Sequence, residues 1–332
     1  ALRSWDYSAG DLGTSYTLSS PTGANLEAAV VADFDGDGNE DLVAQSDGSN
    51  PQVFYFQGDA SGSFTYASSP GFQLAGIGAQ IWTAGDIDND GTPDIIGWDY
   101  ADGEGWVWLT GSSGGVPSWT RMPSSTFGIR PFELQYWDPS AFNYQDHESV
   151  HLPLVDVDLD GNLDIVECAN SSSSPSECAV HSGDGTGNFA LTYTFQLGRL
   201  INGFAIADFD GDGALDMLGG FDDDGDAGQS WIWTGGLANW NGGGTAAFDL
   251  NPNSGTNASN AVGYGWPYPF DADQDGDPDL IVKIIEPFNS NNRMLYFVEN
   301  VGGTWSWWTL AQSWSQHSGT ASMVQDAIAV SP

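Results

Sequence analysis

Positive charge is what this sequence has least of. Lys283 is its single lysine, and with Arg3, Arg121, Arg130, Arg199 and Arg293 it makes 6 basic residues against 45 acidic ones, a formal charge of −39. A polyanion of that density does not hold nucleic acid phosphates, nor an anionic membrane surface by electrostatics. Cysteine is nearly as scarce, with only Cys168 and Cys178. Long apolar runs are missing too: no stretch of about 18 apolar residues occurs, so membrane insertion through a helical span is not expected. The sequence also lacks a nucleophile elbow, an HExxH motif and a phosphate-binding loop.

What is present is core-forming material. Apolar residues make up 40% of the chain and aromatics 13%, including 15 Trp, which excludes a disordered chain. The 44 Gly and 16 Pro mean frequent turns, and therefore many short strands rather than helices. A length of 332 residues leaves ample room for a buried core.

The acid is clustered, and the clusters repeat. Five nonapeptides start at Asp33, Asp86, Asp156, Asp208 and Asp271, recurring after 53, 70, 52 and 63 residues. Each carries Asp at positions 1, 3, 5 and 9: Asp33, Asp35, Asp37 and Asp41; Asp86, Asp88, Asp90 and Asp94; Asp156, Asp158, Asp160 and Asp164; Asp208, Asp210, Asp212 and Asp216; Asp271, Asp273, Asp275 and Asp279. Gly occupies position 6, and an apolar pair such as Leu42-Val43 or Ile95-Ile96 follows at once. A solvated acidic surface would scatter its carboxylates. Alternate side chains from a curled loop instead converge on one point, and an all-oxygen shell selects a hard cation, calcium above zinc or copper. The residue at position 7 varies (Asn39, Thr92, Asn162, Ala214, Asp277), as expected where the backbone carbonyl is the ligand, and Asp at position 9 closes the shell. Helix-flanked calcium loops carry Glu at position 12, but here the residue is Ala44, Gly97, Glu167, Gly219 or Val282. About five structural calcium ions are expected, one per loop.

The pattern D-x-D-x-D-G-x-x-D followed by two apolar residues resembles the FG-GAP/VCBS family of calcium-binding propeller blades. Such blades occur in integrin α-subunit propellers, in certain fungal and bacterial lectins and in some secreted polysaccharide-active proteins. The resemblance implies an all-β chain of four-stranded blades, with the calcium loop between the first and second strands of each.

An aromatic hairpin follows every loop: Val53–Phe56 with Phe64–Tyr66, Trp106–Trp108 with Trp119, Cys178–His181 with Leu191–Thr194, Trp231–Trp233 with Ala247–Phe248, and Leu295–Phe297 with Trp305–Trp308. A period of about 50 residues is the size of one blade. A further hairpin at Ser4–Tyr7 and Ser15–Leu18 has no loop before it, and two strand-like runs at Ala321–Val324 and Asp326–Val330 have no hairpin after them. The sequence therefore predicts a single propeller domain over 1–332 with six blades. The sixth is assembled from 1–20 and 321–332 and closes the ring, which removes exposed strand edges; seven blades is the alternative count.

In up-and-down blades, long insertions such as 126–148, 169–177, 221–230, 251–262 and 286–292 fall on the face opposite the metal loops. Exposed aromatics there suit sugar rings, whose C–H groups they cover, and the candidates are Trp98, Tyr136, Trp137, Tyr144, Tyr264 and Trp266. Most Trp must pack between blades. His147 and His151 lie four apart near Asp146 and Glu148, a spacing that could hold a metal or serve acid–base work, but His151 belongs to an expected inner strand and so points away from His147. The acidic run Phe221–Asp226 reads as a solvated loop, with an extra cation site as the alternative. Cys168 and Cys178, ten apart, are expected to form a local disulfide in an oxidising compartment. The expectation is a secreted, calcium-stabilised binding module for carbohydrate. The alternatives are a protein-recognising adhesion or assembly subunit and, less favoured for want of a basic or acid–base cluster, a polysaccharide lyase or hydrolase.

Overall fold

The computed structural model describes residues 2–312, apart from 9–10, 19, 24–25, 47–51, 69–78, 100–103, 113–115, 123–134, 139–142, 147–152, 172–173, 200, 202, 221–228, 251–262, 274 and 286–292. The fold is all-β, a single propeller of four-stranded antiparallel blades. Before the first blade stands a hairpin, β1 (Leu2–Ser8) with β2 (Asp11–Leu18). Blade A is β3 (Leu26–Ala32), β4 (Asp41–Ser46), β5 (Val53–Gly58) and β6 (Phe64–Ser68). Blade B is β7 (Ala79–Gly85), β8 (Asp94–Asp99), β9 (Glu104–Ser112) and β10 (Pro117–Arg121). A second hairpin, β11 (Gln135–Asp138) with β12 (Asn143–Asp146), separates it from blade C, which is β13 (Leu154–Val155), β14 (Asp164–Ser171), β15 (Ser174–Gly183) and β16 (Phe189–Gln196). Blade D is β17 (Gly203–Ala207), β18 (Asp216–Gly220), β19 (Gln229–Trp233) and β20 (Thr245–Asp249). Blade E is β21 (Gly263–Phe270), β22 (Asp279–Ile285), β23 (Arg293–Val301) and β24 (Thr304–Gln312).

This corrects the blade count. The described residues build five blades, not six or seven. The amino-terminal hairpin forms where the sequence places it, but among the described residues it is a two-stranded sheet with no inner strands beside it. The strands expected at 321–332 lie outside the described residues, and the ring closure shared between the termini falls with the sixth blade. The physical reason is that strand alternation and a tight turn specify a hairpin locally, whereas recruitment into a blade needs something further. In this chain every four-stranded sheet is built around an Asp-rich loop that joins its first two strands, and the amino-terminal hairpin has none.

Second strands are buried on both faces, so they read as apolar runs rather than alternating ones: in β4 every residue is buried. Outer strands are largely open to solvent, as in β16, where only Phe189 and Phe195 are buried. Blades pack face to face through large side chains. Val166 and Val180 of blade C share a core with Ile206, Met217 and Trp233 of blade D, and Phe248 of blade D packs with Tyr296 and Val298 of blade E. The residue at position 2 of the first four acidic loops helps to join blades. Phe34 lies in a core with Ile95 and Trp108 of blade B, Ile87 in one with Ile165 of blade C, and Phe209 in one with Leu280 of blade E. Each such burial contributes roughly 2–3 kcal/mol, so the loop and the next blade stabilise one another.

Candidate metal centre

All five acidic loops make the same connection, from the first to the second strand of a blade. They therefore gather at one end of the propeller. Position 6 has positive φ in every loop: 88° at Gly38, 89° at Gly91, 93° at Gly161, 87° at Gly213 and 99° at Gly276. Only glycine takes that conformation without strain, and it lets the loop curl. The curl is held by Asp at position 1, whose two oxygens accept backbone N–H donors further along. In the first loop Asp33 Oδ1 takes Gly36 at 2.8 Å and Asp37 at 3.0 Å, while Oδ2 takes Gly38 at 2.9 Å. The amide at position 7 returns to the carboxylate at position 5, at 2.8 Å for Asn39, Thr92, Asn162 and Ala214 and 3.0 Å for Asp277.

This geometry brings three carboxylate oxygens within 4.8 Å of one another in every loop. The groups are Asp33, Asp35 and Asp37; Asp86, Asp88 and Asp90; Asp156, Asp158 and Asp164; Asp208, Asp210 and Asp212; and Asp271, Asp273 and Asp279. Three like charges at that distance repel, and their oxygens make a hard donor set. A divalent calcium ion fits both properties.

Asp at position 9 has a second role that the sequence did not display. Asp41, Asp94, Asp164, Asp216 and Asp279 are all fully buried. One oxygen accepts the amide at position 2, from Phe34, Ile87, Val157, Phe209 and Ala272, at 2.9–3.1 Å. The other accepts an amide from the far end of the third strand or just beyond: Gly58, Thr110, Gly183, Gly235 or Asn300. In blade A, Tyr55 also donates its hydroxyl to Asp41 at 2.9 Å. Only with the third strand in place does this role become visible.

Burial pushes all five of these carboxyls up from the ordinary range, to about 6 for Asp94 and Asp216. Their backbone donors oppose the rise, and nearby carboxylates reinforce it, Asp88 at Asp94 and Asp210 at Asp216. The Tyr55 hydroxyl is pushed up as well, by burial and by the bond to Asp41. A bound dication acts in the opposite direction on the carboxyls.

Outside the loops, Cys168 and Cys178 form a disulfide, directly opposed on β14 and β15 rather than within the turn between them. A buried pair lies one residue before Cys168: Glu167 Oε1 is 2.8 Å from His181 Nε2. The expected ligand-binding aromatics are placed only by backbone. Trp98 is near the end of β8, and Tyr264 and Trp266 are at the start of β21, in each case remote from the acidic loop of that strand pair. Trp137 and Tyr144 are Cα partners across β11 and β12, and Tyr136 lies beside Trp137 in the same strand. Their side chains, together with His147, His151 and Phe221–Asp226, lie outside the described residues.

The comparisons with known proteins agree with the loops. The model of the FG-GAP-like repeat matches residues 33–97 and 156–219, each running from one acidic loop through the next and into the strand after it. The chain thus carries FG-GAP-like repeats, and its propeller fits that family. No curated protein matches the chain. Among solved structures, a triple arginine-to-alanine mutant of AofleA from Arthrobotrys oligospora is similar at 11% identity and a TM-score of 0.41, over 88% of this chain and 92% of that one. A likeness that remote has no bearing on function.

Proposed function

We propose that the chain is an extracellular binding module whose propeller is held together by about five calcium ions, with carbohydrate as its ligand class. The observation that carries the metal reading is the recurrence of a carboxylate triad within 4.8 Å, from motif positions 1, 3 and 5 in three loops and 1, 3 and 9 in two, at the same connection of five blades. Asp at positions 1, 3 and 5, the carbonyl at position 7 and, through its remaining lone pairs, Asp at position 9 would hold each ion. When bound, the ion neutralises the loop and fixes its curl. In the first four loops the position-2 residue packs against the next blade, so the same ion steadies the junction.

The Cys168–Cys178 disulfide supports an oxidising compartment, where millimolar calcium fills such sites. The carbohydrate reading is supported by the position of Trp98, Tyr264 and Trp266 at strand ends remote from the metal loops. A glycan array probed with the calcium-loaded chain tests it. Saturable binding to defined sugars is the expected result. Absence of any sugar binding would overturn the carbohydrate reading and leave recognition of an extracellular protein, by adhesion or assembly, as the function.

A further inference from the structure

We infer that calcium loading is coupled between neighbouring blades in two pairs: the second loop with the third through Asn89, and the fourth with the fifth through Asn300. The inference rests on the metal reading above and goes beyond it, because five separate loops could equally fill independently.

Asn300 carries the stronger link. It belongs to β23 and is 1% exposed. Its backbone N–H donates to Asp279 Oδ1 at 2.9 Å, which fastens it to the fifth loop. Its side-chain amide donates to the carbonyl of Phe209 at 2.8 Å and to that of Pro278 at 3.3 Å, and its Oδ1 accepts the Gly303 amide at 3.0 Å. Phe209 is position 2 of the fourth loop, and its own N–H donates to Asp216 at 3.0 Å. Phe209 is therefore held by its N–H to its own loop and by its carbonyl to the next blade. Whatever orders the fourth loop places an acceptor for Asn300, and whatever orders the fifth places the donor.

The corresponding position is glycine in blades A, C and D: Gly58, Gly183 and Gly235. At Gly58 and Gly183 a Cβ would collide with the carbonyl of Glu40 or Leu163. Blade E instead accommodates a side chain there and uses it to reach its neighbour.

The second link has the same logic at the surface. Asn89, position 4 of the second loop, has φ 58°, and its amide donates to Asn162 Oδ1 at 2.8 Å. Asn162 is position 7 of the third loop, and its backbone N–H donates to Asp160 at 2.8 Å. Position 4 in the first and fourth loops is Gly36 or Gly211 in the same left-handed conformation, so Asn89 can be exchanged without altering the curl.

Coupling between two sites is reciprocal: an ion in one loop that holds the shared bond in place raises the affinity of its partner by the worth of that bond. A buried hydrogen bond corresponds to about fivefold in affinity and an exposed one to about twofold. The test is calorimetric titration of metal-free chain with calcium. Asn300→Gly and Asn89→Gly install residues that equivalent positions already carry, and the melting curve of each variant in calcium checks that it is folded. Paired Asp208→Ala and Asp210→Ala changes disable the fourth loop. In the otherwise wild-type chain this is expected to weaken one remaining site about fivefold; in the Asn300→Gly background it is expected to weaken none. Asn89→Gly lowers the affinity of the second and third loops about twofold. Equal weakening with and without Asn300, or none in either, overturns the coupling while leaving the metal reading intact. A wild-type chain that takes up no calcium overturns both.

Discussion

Gly58 and Asp41 stand seventeen residues apart, and the amide of one donates to Oδ1 of the other at 2.8 Å. The same contact recurs in every blade, at 2.7 Å from Thr110 to Asp94 and 2.9 Å from Gly183 to Asp164. It fastens the end of an acidic loop to the third strand. The last Asp of the motif is thus a strut in the protein interior, whereas the Asp at position 5 is exposed in the first, second, third, fourth and fifth loops alike. The two kinds of carboxylate should respond differently to substitution.

With metal removed, Asp164→Ala should cost about 3 kcal/mol or more, because the amides of Val157 and Gly183 lose their acceptor in a buried site. Asp160→Ala, by contrast, removes one of several repelling carboxylates and should leave the metal-free chain within about 0.5 kcal/mol of wild type. Added calcium should then stabilise Asp160→Ala less than wild type. Urea unfolding in EDTA and in calcium checks both statements; equal losses for the two variants in EDTA would refute the distinction.

Acidity gives the next expectation. Asp94 and Asp216 have carboxyls raised to about 6, against an unfolded value near 3.9. The folded chain therefore binds their protons more tightly. Their contribution is fully stabilising below about pH 4 and is lost as pH rises through about 6. In EDTA the melting temperature should be higher at pH 5 than at pH 7. Calcium should reverse the order, since the ion competes with those protons. A metal-free chain that melts lower at pH 5 would contradict the burial argument.

Backbone strain supplies another. Leu159, at position 4 of the third loop, has φ 61° and is 70% exposed, where the first and fourth loops have Gly36 and Gly211. A left-handed leucine costs about 1 kcal/mol relative to glycine, and so exposed a side chain recovers little of it through burial. Leu159→Gly should raise stability by about that amount in chemical unfolding. Gly36→Leu should lower it similarly.

Much of this could be read from the chain itself. The spacing of Asp33, Asp35 and Asp37 around Gly38 encodes a local curl, and local geometry needs no tertiary information. The hairpins at Val53–Phe56 and Phe64–Tyr66, or at Trp231–Trp233 and Ala247–Phe248, match β5 with β6 and β19 with β20 for the same reason. The blade count was not legible. Ser4–Tyr7 and Ser15–Leu18 do pair, as β1 and β2, but alternation along a strand fixes which face is apolar and not which sheet it joins. Nor could the sequence reveal the strut role of Asp41 or the reach of Asn300, since each depends on a residue brought close only by the assembled sheets. The opposed position of Cys168 and Cys178 likewise follows from the register of β14 and β15.

The central claim is that the acidic loops hold calcium, and the amount of metal bound per chain tests it most directly. After dialysis against millimolar calcium and rapid removal of free ion, mass spectrometry of the intact chain under native conditions should find five calcium ions, one for each carboxylate triad. Separate Asp208→Ala and Asp271→Ala changes should each remove one. A chain that retains no calcium, or whose count is unmoved by both substitutions, would contradict the account.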